Sequence, residues 1–391
     1  MEFFKPGKRY DFLSLWKPMV VASAVLVAAS WALVATKGLN FGIDFAGGTE
    51  ALVNFEKPVD LAELREVVTT TGLEQPEVVA YGLTAEGRYF IRSRTQSLLS
   101  EAELARLKAT MVEKVGQPQV WEALDEAGEQ VRVQFAERKT IAEIKAALDA
   151  SGFAEGTVSL QAERTNPFYL LNLPGVRQRL DATLQAKYGA PYHGVDRFES
   201  VGSAVGKQLR DQGILAVLYA LIGILLYVSF RFDLRYSPGA VIALIHDVSI
   251  TIGVFSLTGL EFNLPIIAAL LAIVGYSLND TIVVYDRIRE SLQLGLGKDL
   301  TDTINLSLSQ TISRTVLTSL TTFLAVLSIY LFGGGIIANF AFAMLVGIVV
   351  GTYSSIYVAS PVVVAVDGYM AKRAPQAGGS RGSSPRQVTR G

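Results

Sequence analysis

Six stretches of this 391-residue chain are apolar over some twenty consecutive positions, the length an α-helix needs to cross a hydrocarbon core of about 30 Å. They run roughly Trp16–Ala35, Gly213–Phe230, Pro238–Leu260, Asn263–Tyr285, Gln310–Phe332 and Ile336–Val366. The last is overlong and carries Pro361 near its end, which predicts a kink or an interfacial turn there. Between the first and second stretches, Lys37–Asp211 changes character to short strand-like runs and amphipathic helical runs, with length for more than one small domain. The pattern predicts a polytopic α-helical membrane protein of six transmembrane helices with one large exported α+β domain.

That domain contains an internal repeat. At an offset of 80, ALVNFEKPVDLAELREVVTTTG from Ala51 lies over VRVQFAERKTIAEIKAALDASG from Val131, aligning Val53 with Val133, Phe55 with Phe135 and Gly72 with Gly152. At an offset of 79, Arg88–Ile91 lies over Pro167–Leu170. Each copy continues into an amphipathic helix, Glu101–Val115 or Val176–Tyr188, and a last strand. The order strand, helix, strand, strand, helix, strand is the ferredoxin-like βαββαβ unit. Two such units in tandem are expected, at about Thr49–Leu124 and Glu129–Val201, with Leu61, Leu64, Ile141 and Ile144 as equivalent core positions. The competing reading is that two unrelated α/β segments align through amphipathic period alone.

Composition agrees with a membrane protein, with 50% hydrophobic and 18% charged residues. Short cytoplasmic loops collect Lys and Arg. Lys5, Lys8, Arg9 and Lys17 precede the first span, Arg231 and Arg235 follow the second, Arg287, Arg289 and Lys298 follow the fourth, and Lys372 and Arg373 follow the sixth. The loops Thr258–Phe262 and Gly333–Gly335 contain neither. Both termini are therefore expected in the cytoplasm. The first apolar run is too long for a cleaved signal peptide and lacks a small-x-small cleavage site. The expected divisions are a cytoplasmic N-terminus (1–15), a first span (16–36), the exported domain (37–211), five further spans (212–370) and a basic, low-complexity, disordered tail (371–391). The exported segment is mildly acidic, with 25 Asp plus Glu against 20 Lys plus Arg, and the chain has no Cys from which to build a disulfide.

Candidate chemistry lies in the spans. Asp280 near the end of the fourth stretch costs roughly 2.5–3.5 kcal/mol on an insertion scale, so a functional role is its default reading. Arg314 interrupts the next span, and opposite charges on consecutive helices point to a proton or ion relay. Burial favours a protonated acid and a nearby guanidinium favours the carboxylate, so a movement that separates them can switch protonation. Gln310, Arg314, Thr318 and Thr321 share one helix face that can hold water or accept hydrogen bonds. The structural alternative is a fixed salt bridge with a snorkelling Arg314. His246 and Asp247 in the third span are either relay members or a packing pair, while Ser277 and Asn279 are expected to orient neighbours rather than carry protons. Gly347 and Gly351 form a small-xxx-small pair, for close packing or a partner interface. After the first span, Asp44, Gly47 and Gly48 mark a turn or hinge into the sheet.

Several motifs fail. GSAVGKQ (Gly202–Gln208) is one residue short of a phosphate loop and has Gln208 where Ser or Thr should hold the metal ion. The two His have no second ligand at metal spacing. The chain is expected to be neither an enzyme nor a nucleic-acid binder, and to need no cofactor or metal.

The motifs LNFGIDFAGGT (Leu39–Thr49), VGSAVGKQL (Val201–Leu209), VGYSLNDTIVVYDRIRE (Val274–Glu290), SRTVLTSLTT (Ser313–Thr322) and GTYSSIYVASP (Gly351–Pro361) resemble the SecD/SecF family of protein-export membrane proteins, within the resistance-nodulation-division superfamily. The likeness covers nearly all six spans and is weaker across Leu98–Gly189, where the family usually has a single ferredoxin-like unit. The resemblance implies an accessory subunit of the Sec translocase in the bacterial inner membrane, on the SecF side, using the proton motive force for protein export. It implies SecD, the SecYEG channel and translocating polypeptide as partners, with YajC a further candidate. It also implies that Asp280 and Arg314 serve proton-driven work, and that the fourth span packs against its SecD counterpart with Asp280 facing that seam. The alternative is a half-size exporter of lipids or small molecules from the same superfamily.

Overall fold

Backbone in hydrocarbon must satisfy its N–H and C=O groups internally, so each apolar stretch becomes a helix. The structure, a computed structural model, describes residues 8–81, 87–95, 99, 101–124, 128–161, 168–232 and 235–373; the tail expected at 371–391 falls outside it from residue 374, as do Lys5 and Pro167. The first span is α1 (Trp16–Lys37). The α+β part follows as β1 (Asn40–Phe41), α2 (Ile43–Ala46), β2 (Gly48–Phe55), α3 (Leu61–Thr69), β3 (Glu77–Ala80), β4 (Arg88–Ser93), α4 (Glu101–Lys114), β5 (Pro118–Ala123), β6 (Gln130–Phe135), α5 (Ile141–Ala150), β7 (Thr157–Gln161), β8 (Phe168–Asn172), α6 (Val176–Tyr188) and β9 (Tyr192–Val201). The chain re-enters the bundle as α7 (Ser203–Arg231) and α8 (Ser237–Thr258), crosses β10 (Glu261–Phe262), and continues as α9 (Leu264–Gln293), α10 (Leu300–Phe332), α11 (Gly335–Ser354) and α12 (Ser360–Arg373).

Among the described residues, six helices, α11 and α12 counted as one, are long and apolar enough to span a membrane. Helices α7 and α10 start well before the apolar stretches that announced them, and α9 runs on past Tyr285, because a helix continues through polar residues outside the hydrocarbon. Asp280 consequently lies midway along its helix rather than near its end. The expected break at Pro361 is a π-helical segment, Ser355–Ala359, in an otherwise continuous sixth span. Proline removes one ladder donor and displaces the carbonyl a turn earlier, and the wider turn absorbs both.

The segment between the first two spanning helices forms two four-stranded antiparallel sheets, each backed by two helices, but not with the tandem boundaries 49–124 and 129–201. Sheet order is β3-β4-β2-β9 in one and β5-β6-β8-β7 in the other. The first unit therefore takes its second helix and last strand, α6 and β9, from the far end of the segment. The second unit, α4 to β8, is inserted whole between β4 and α6, and its ferredoxin-like order is circularly permuted. Two causes act. The residues between β5 and β6 are few enough for a hairpin, closed by Leu124 N–H to the Gln130 carbonyl at 2.8 Å, and a short loop loses less entropy than a return across the other sheet. Strand β9 also leads directly into α7, and pairing Val201 with Gly48 puts both connections to the membrane side by side.

The repeat itself is present in the packing, at an offset of 80 throughout. Val53 pairs with Tyr89 as Val133 pairs with Tyr169, which corrects the offset of 79 expected for the third strands. The Tyr89 hydroxyl accepts from Val59 N–H at 2.7 Å and donates to the Val59 carbonyl at 2.9 Å, while Tyr169 repeats both bonds with Lys139. Phe55 and Phe135 are buried at equivalent positions, as are Leu64 and Ile144. Leu61 and Ile141 are equivalent but exposed, at 37% and 47%, which overturns their core assignment. They occupy the first position of each helix, and the buried stripe begins one turn later.

Candidate functional site

The bundle interior holds a polar layer contributed by α8, α9, α10 and α11. Asp247 is fully buried, and its Oδ2 accepts from Ser277 Oγ at 2.5 Å and Ser354 Oγ at 2.9 Å. Its Oδ1 lies 2.9 Å from His246 Nδ1, and the buried His246 ring stacks on Tyr353. Among the described residues, the His246 Nε2 atom has no hydrogen-bond partner. The structure thus joins three of the residues singled out in the sequence, His246, Asp247 and Ser277, and adds Ser354, which spacing alone could not nominate.

Asp280 is also buried, at 3% exposure, and its Oδ2 accepts from Ser319 Oγ at 3.4 Å. Ser319 in turn shares a hydrogen bond of 2.8 Å with Thr352. Asp280 forms no ion pair with Arg314 within 4.0 Å among the described residues, so a fixed salt bridge is not what holds either group. The layer depends on close helix contact. A Cβ added at Gly347 would sit 2.3 Å from Ile273, and one at Gly351 3.0 Å from Ser277, so this pair seats α11 against α9 of the same chain.

The polar stripe on α10 faces outward. Gln310, Arg314, Thr318 and Thr321 are exposed, and Gln310 accepts from Arg287 Nε at 2.6 Å. Beside it, α9 presents Ala268, Ala272, Gly275 and Asn279, all exposed and three or four residues apart. The outward residue next to Asp280 is therefore Asn279, while Asp280 points into the bundle of its own chain. Asn279 makes no side-chain hydrogen bond among the described residues. A charged and polar strip halfway along two spanning helices is costly against lipid, and small neighbours suit close approach by another helix.

At the other end of α1 the FGIDFAGGT segment acts as a clasp rather than a simple turn. Strand β1 pairs in parallel with β10, and Asp44 Oδ2 accepts from Leu264 N–H at 2.9 Å, capping the helix that carries Asp280. Gly47 and Gly48 have φ of 75° and 128°, and a Cβ on Gly48 would lie 2.3 Å from the Ser93 carbonyl. Asp44→Ala is expected to lower stability by about 1 kcal/mol, as for other lost caps. Gly48→Ala should cost more than about 1 kcal/mol, through strain and collision together. Thermal unfolding of the full chain in detergent measures both, and an unchanged midpoint for Gly48→Ala contradicts the expectation.

Residues 183–368 match the family described as "Protein export membrane protein SecD/SecF, C-terminal", and residues 32–59 match the "SecD/SecF GG Motif". The chain is 37% identical over 356 residues to the protein translocase subunit SecF of Desulfurispirillum indicum, covering 90% of each. It is 35% identical over 357 residues to the protein translocase subunit SecDF of Thermus thermophilus, covering 91% of this chain and 38% of that longer one. The crystal structure of SecDF from the same genus, described as a translocon-associated membrane protein, superposes with a TM-score of 0.63 at 32% identity, over 93% of this chain and 39% of that one. Identity at this level over nine tenths of the chain settles the relationship: the chain belongs to the SecD/SecF family of protein-export membrane proteins.

Proposed function

We propose that this chain is the SecF-type accessory subunit of a bacterial Sec translocase, which works with SecD to convert the proton motive force into promotion of protein export. The observation that carries this reading is the buried, mid-membrane Asp280, held among the described residues by one long hydrogen bond beside an outward strip containing Arg314. A carboxyl so lightly held can gain or lose a proton as neighbouring helices move. One charge crossing 100 mV gains about 2.3 kcal/mol, enough to bias a two-state domain roughly fiftyfold. Asp280 and Arg314 are the proposed relay, with His246, Asp247 and Ser277 as a second buried group and Asn279 at the seam. The basic residues Arg9, Arg231 and Arg235 pair with Asp302, Asp286 and Asp367 at the bundle end that carries the chain termini, which supports placing that end in the cytoplasm and the two sheets outside the inner membrane.

SecD is the proposed occupant of the outward strip on α9 and α10, with SecYEG, translocating polypeptide and YajC as further partners of the assembly. In this Cys-free chain, cysteines at Ala268, Ala272, Gly275 and Asn279 are expected to cross-link to SecD in native membranes, while cysteines at Ile273, Val274 and Leu278 do not. Cross-linking with no helical period, or only between copies of this chain, would contradict the pairing. The half-size exporter reading finds one supporting feature, an apolar cavity of about 310 Å³ bounded by Trp31, Phe45, Ile214 and Leu270 with Arg210 among its lining residues. That reading requires transport by this chain without SecD, which reconstitution of the purified protein tests directly.

A further inference from the structure

The first α+β unit sits on the membrane bundle through its helix-free face. Tyr81 and Phe90 press on the α10–α11 loop, where a Cβ at Gly334 or Gly335 would lie 2.7 Å from their rings. The other contact is ionic. Arg92 of β4 donates through Nε to Glu50 Oε2 of its own sheet at 2.5 Å, and its second nitrogen lies 2.8 Å from Glu261 Oε2 of β10, on the bundle. Glu50 and Glu261 are 4% and 8% exposed, and the Arg92 guanidinium lies between them. That second contact lacks hydrogen-bond alignment, so Glu261 Oε2 is ion-paired but, among the described residues, accepts no hydrogen bond. The Gly42 backbone approaches so closely that a Cβ there would lie 2.3 Å from Glu261 Oε1. Glu77 of β3 and Asp44 of α2 add negative charge around Glu261, and Arg94 lines the same small cavity as Arg92, Glu77 and Glu261.

We propose that Glu261 is a proton-dependent seat for the exported domain: the first unit rests on the bundle while the Glu261 carboxyl is protonated, and lifts from it when that carboxyl ionises. A carboxylate enclosed here has two acidic neighbours and a third across the sheet, a shared guanidinium, and one oxygen that accepts no aligned hydrogen bond among the described residues. Its neutral acid meets none of these costs. Burial, ahead of the opposing pull of Arg92 and the push of Glu50, Glu77 and Asp44, moves Glu261 from the ordinary glutamate range up to about 7. The sign follows from linkage. A group whose pKa is raised on docking favours the docked state at low pH, and that preference is lost as pH rises from about 4.5 through about 7. The seat is thus tightest when the exported side is acid, the condition of an energised membrane, and the full swing is about 300-fold in the docking equilibrium.

This device is separate from the proposed relay at Asp280, and its test reads domain position rather than export. Glu66 on α3 and Thr258 at the end of α8 are both exposed, and cysteines there would be the only two in the chain. Spin labels on them, in the full chain reconstituted into vesicles, report the distance by pulsed electron spin resonance. Between pH 8 and pH 5 on the exported side, the distribution is expected to collapse from broad to a single short distance. Glu261→Gln should give the short distance at both pH values, since an uncharged amide imitates the acid. Arg92→Gln should move the midpoint upward, because the guanidinium favours the ionised form, whereas a merely structural arginine would leave the midpoint in place. A wild-type distance independent of pH overturns the proposal, as does an intact pH response in Glu261→Gln or an unmoved midpoint in Arg92→Gln.

Discussion

Replacing Asp280 by Asn is expected to leave the protein inserted and folded while abolishing the part of export that depends on an ion gradient. The amide has the same volume as the carboxyl, and its oxygen can still accept from Ser319 Oγ, so the contact with α10 survives. What disappears is titration. Preprotein transport into inverted membrane vesicles, with and without a gradient, measures the effect, and thermal unfolding provides the control for folding. Vesicles carrying the variant should behave like wild-type vesicles whose gradient has been collapsed. Normal gradient-dependent stimulation would rule out a relay through this residue. Arg314→Lys should be impaired as well, since a compact ammonium cannot reproduce a planar guanidinium fork in whatever pairing the working cycle brings to it.

The second large effect follows from the nesting of the two α+β units. Replacing residues 96–173 by a short Gly-Ser linker is expected to remove the second unit entirely and leave the first one folded, because β2, α3, β3, β4, α6 and β9 all lie outside the excised stretch. Under tandem boundaries the same excision would cut through both units and unfold both. Glu129 leaves with the excised part; its side chain accepts from Val176 N–H at 3.1 Å, so α6 loses a terminal hydrogen bond and about 1 kcal/mol. Hydrogen exchange distinguishes the outcomes through the amides of β2 and β4, which should stay protected. The matching point substitution is Phe135→Ala, which removes a buried ring packed against Tyr169 and should cost roughly 3–5 kcal/mol. Its exchange signature should be confined to α4 through β8, with the β2 core unaffected. Loss of protection in β2 after either change would contradict the nested fold.

Local periodicity determined much about this protein. Six apolar runs became six spans, the capping residues Asp60 and Thr140 start α3 and α5 as their side chains require, and the repeat of strand, helix, strand, strand is real down to its paired tyrosines. These are properties of neighbours along the chain, and neighbours along the chain are what a sequence displays. Pairing between distant segments is not displayed. The exchange of α4–β5 for α6–β9 leaves every local pattern intact, since either arrangement buries the same faces, and only hairpin closure and the two membrane connections choose between them. The membrane site divides the same way. Asp280, Arg314, His246 and Asp247 stood out because a charge in an apolar run is costly wherever it points. Which way each points is set by helix rotation within the bundle, and that put Asp280 and Asp247 inside with Ser319 and Ser354 while turning Arg314 and Asn279 outward. Glu261 and Arg92 carried no signal at all. A glutamate in a short loop and an arginine on a strand are ordinary surface residues until two domains close over them, and desolvation, which exists only in the folded protein, makes them a pair.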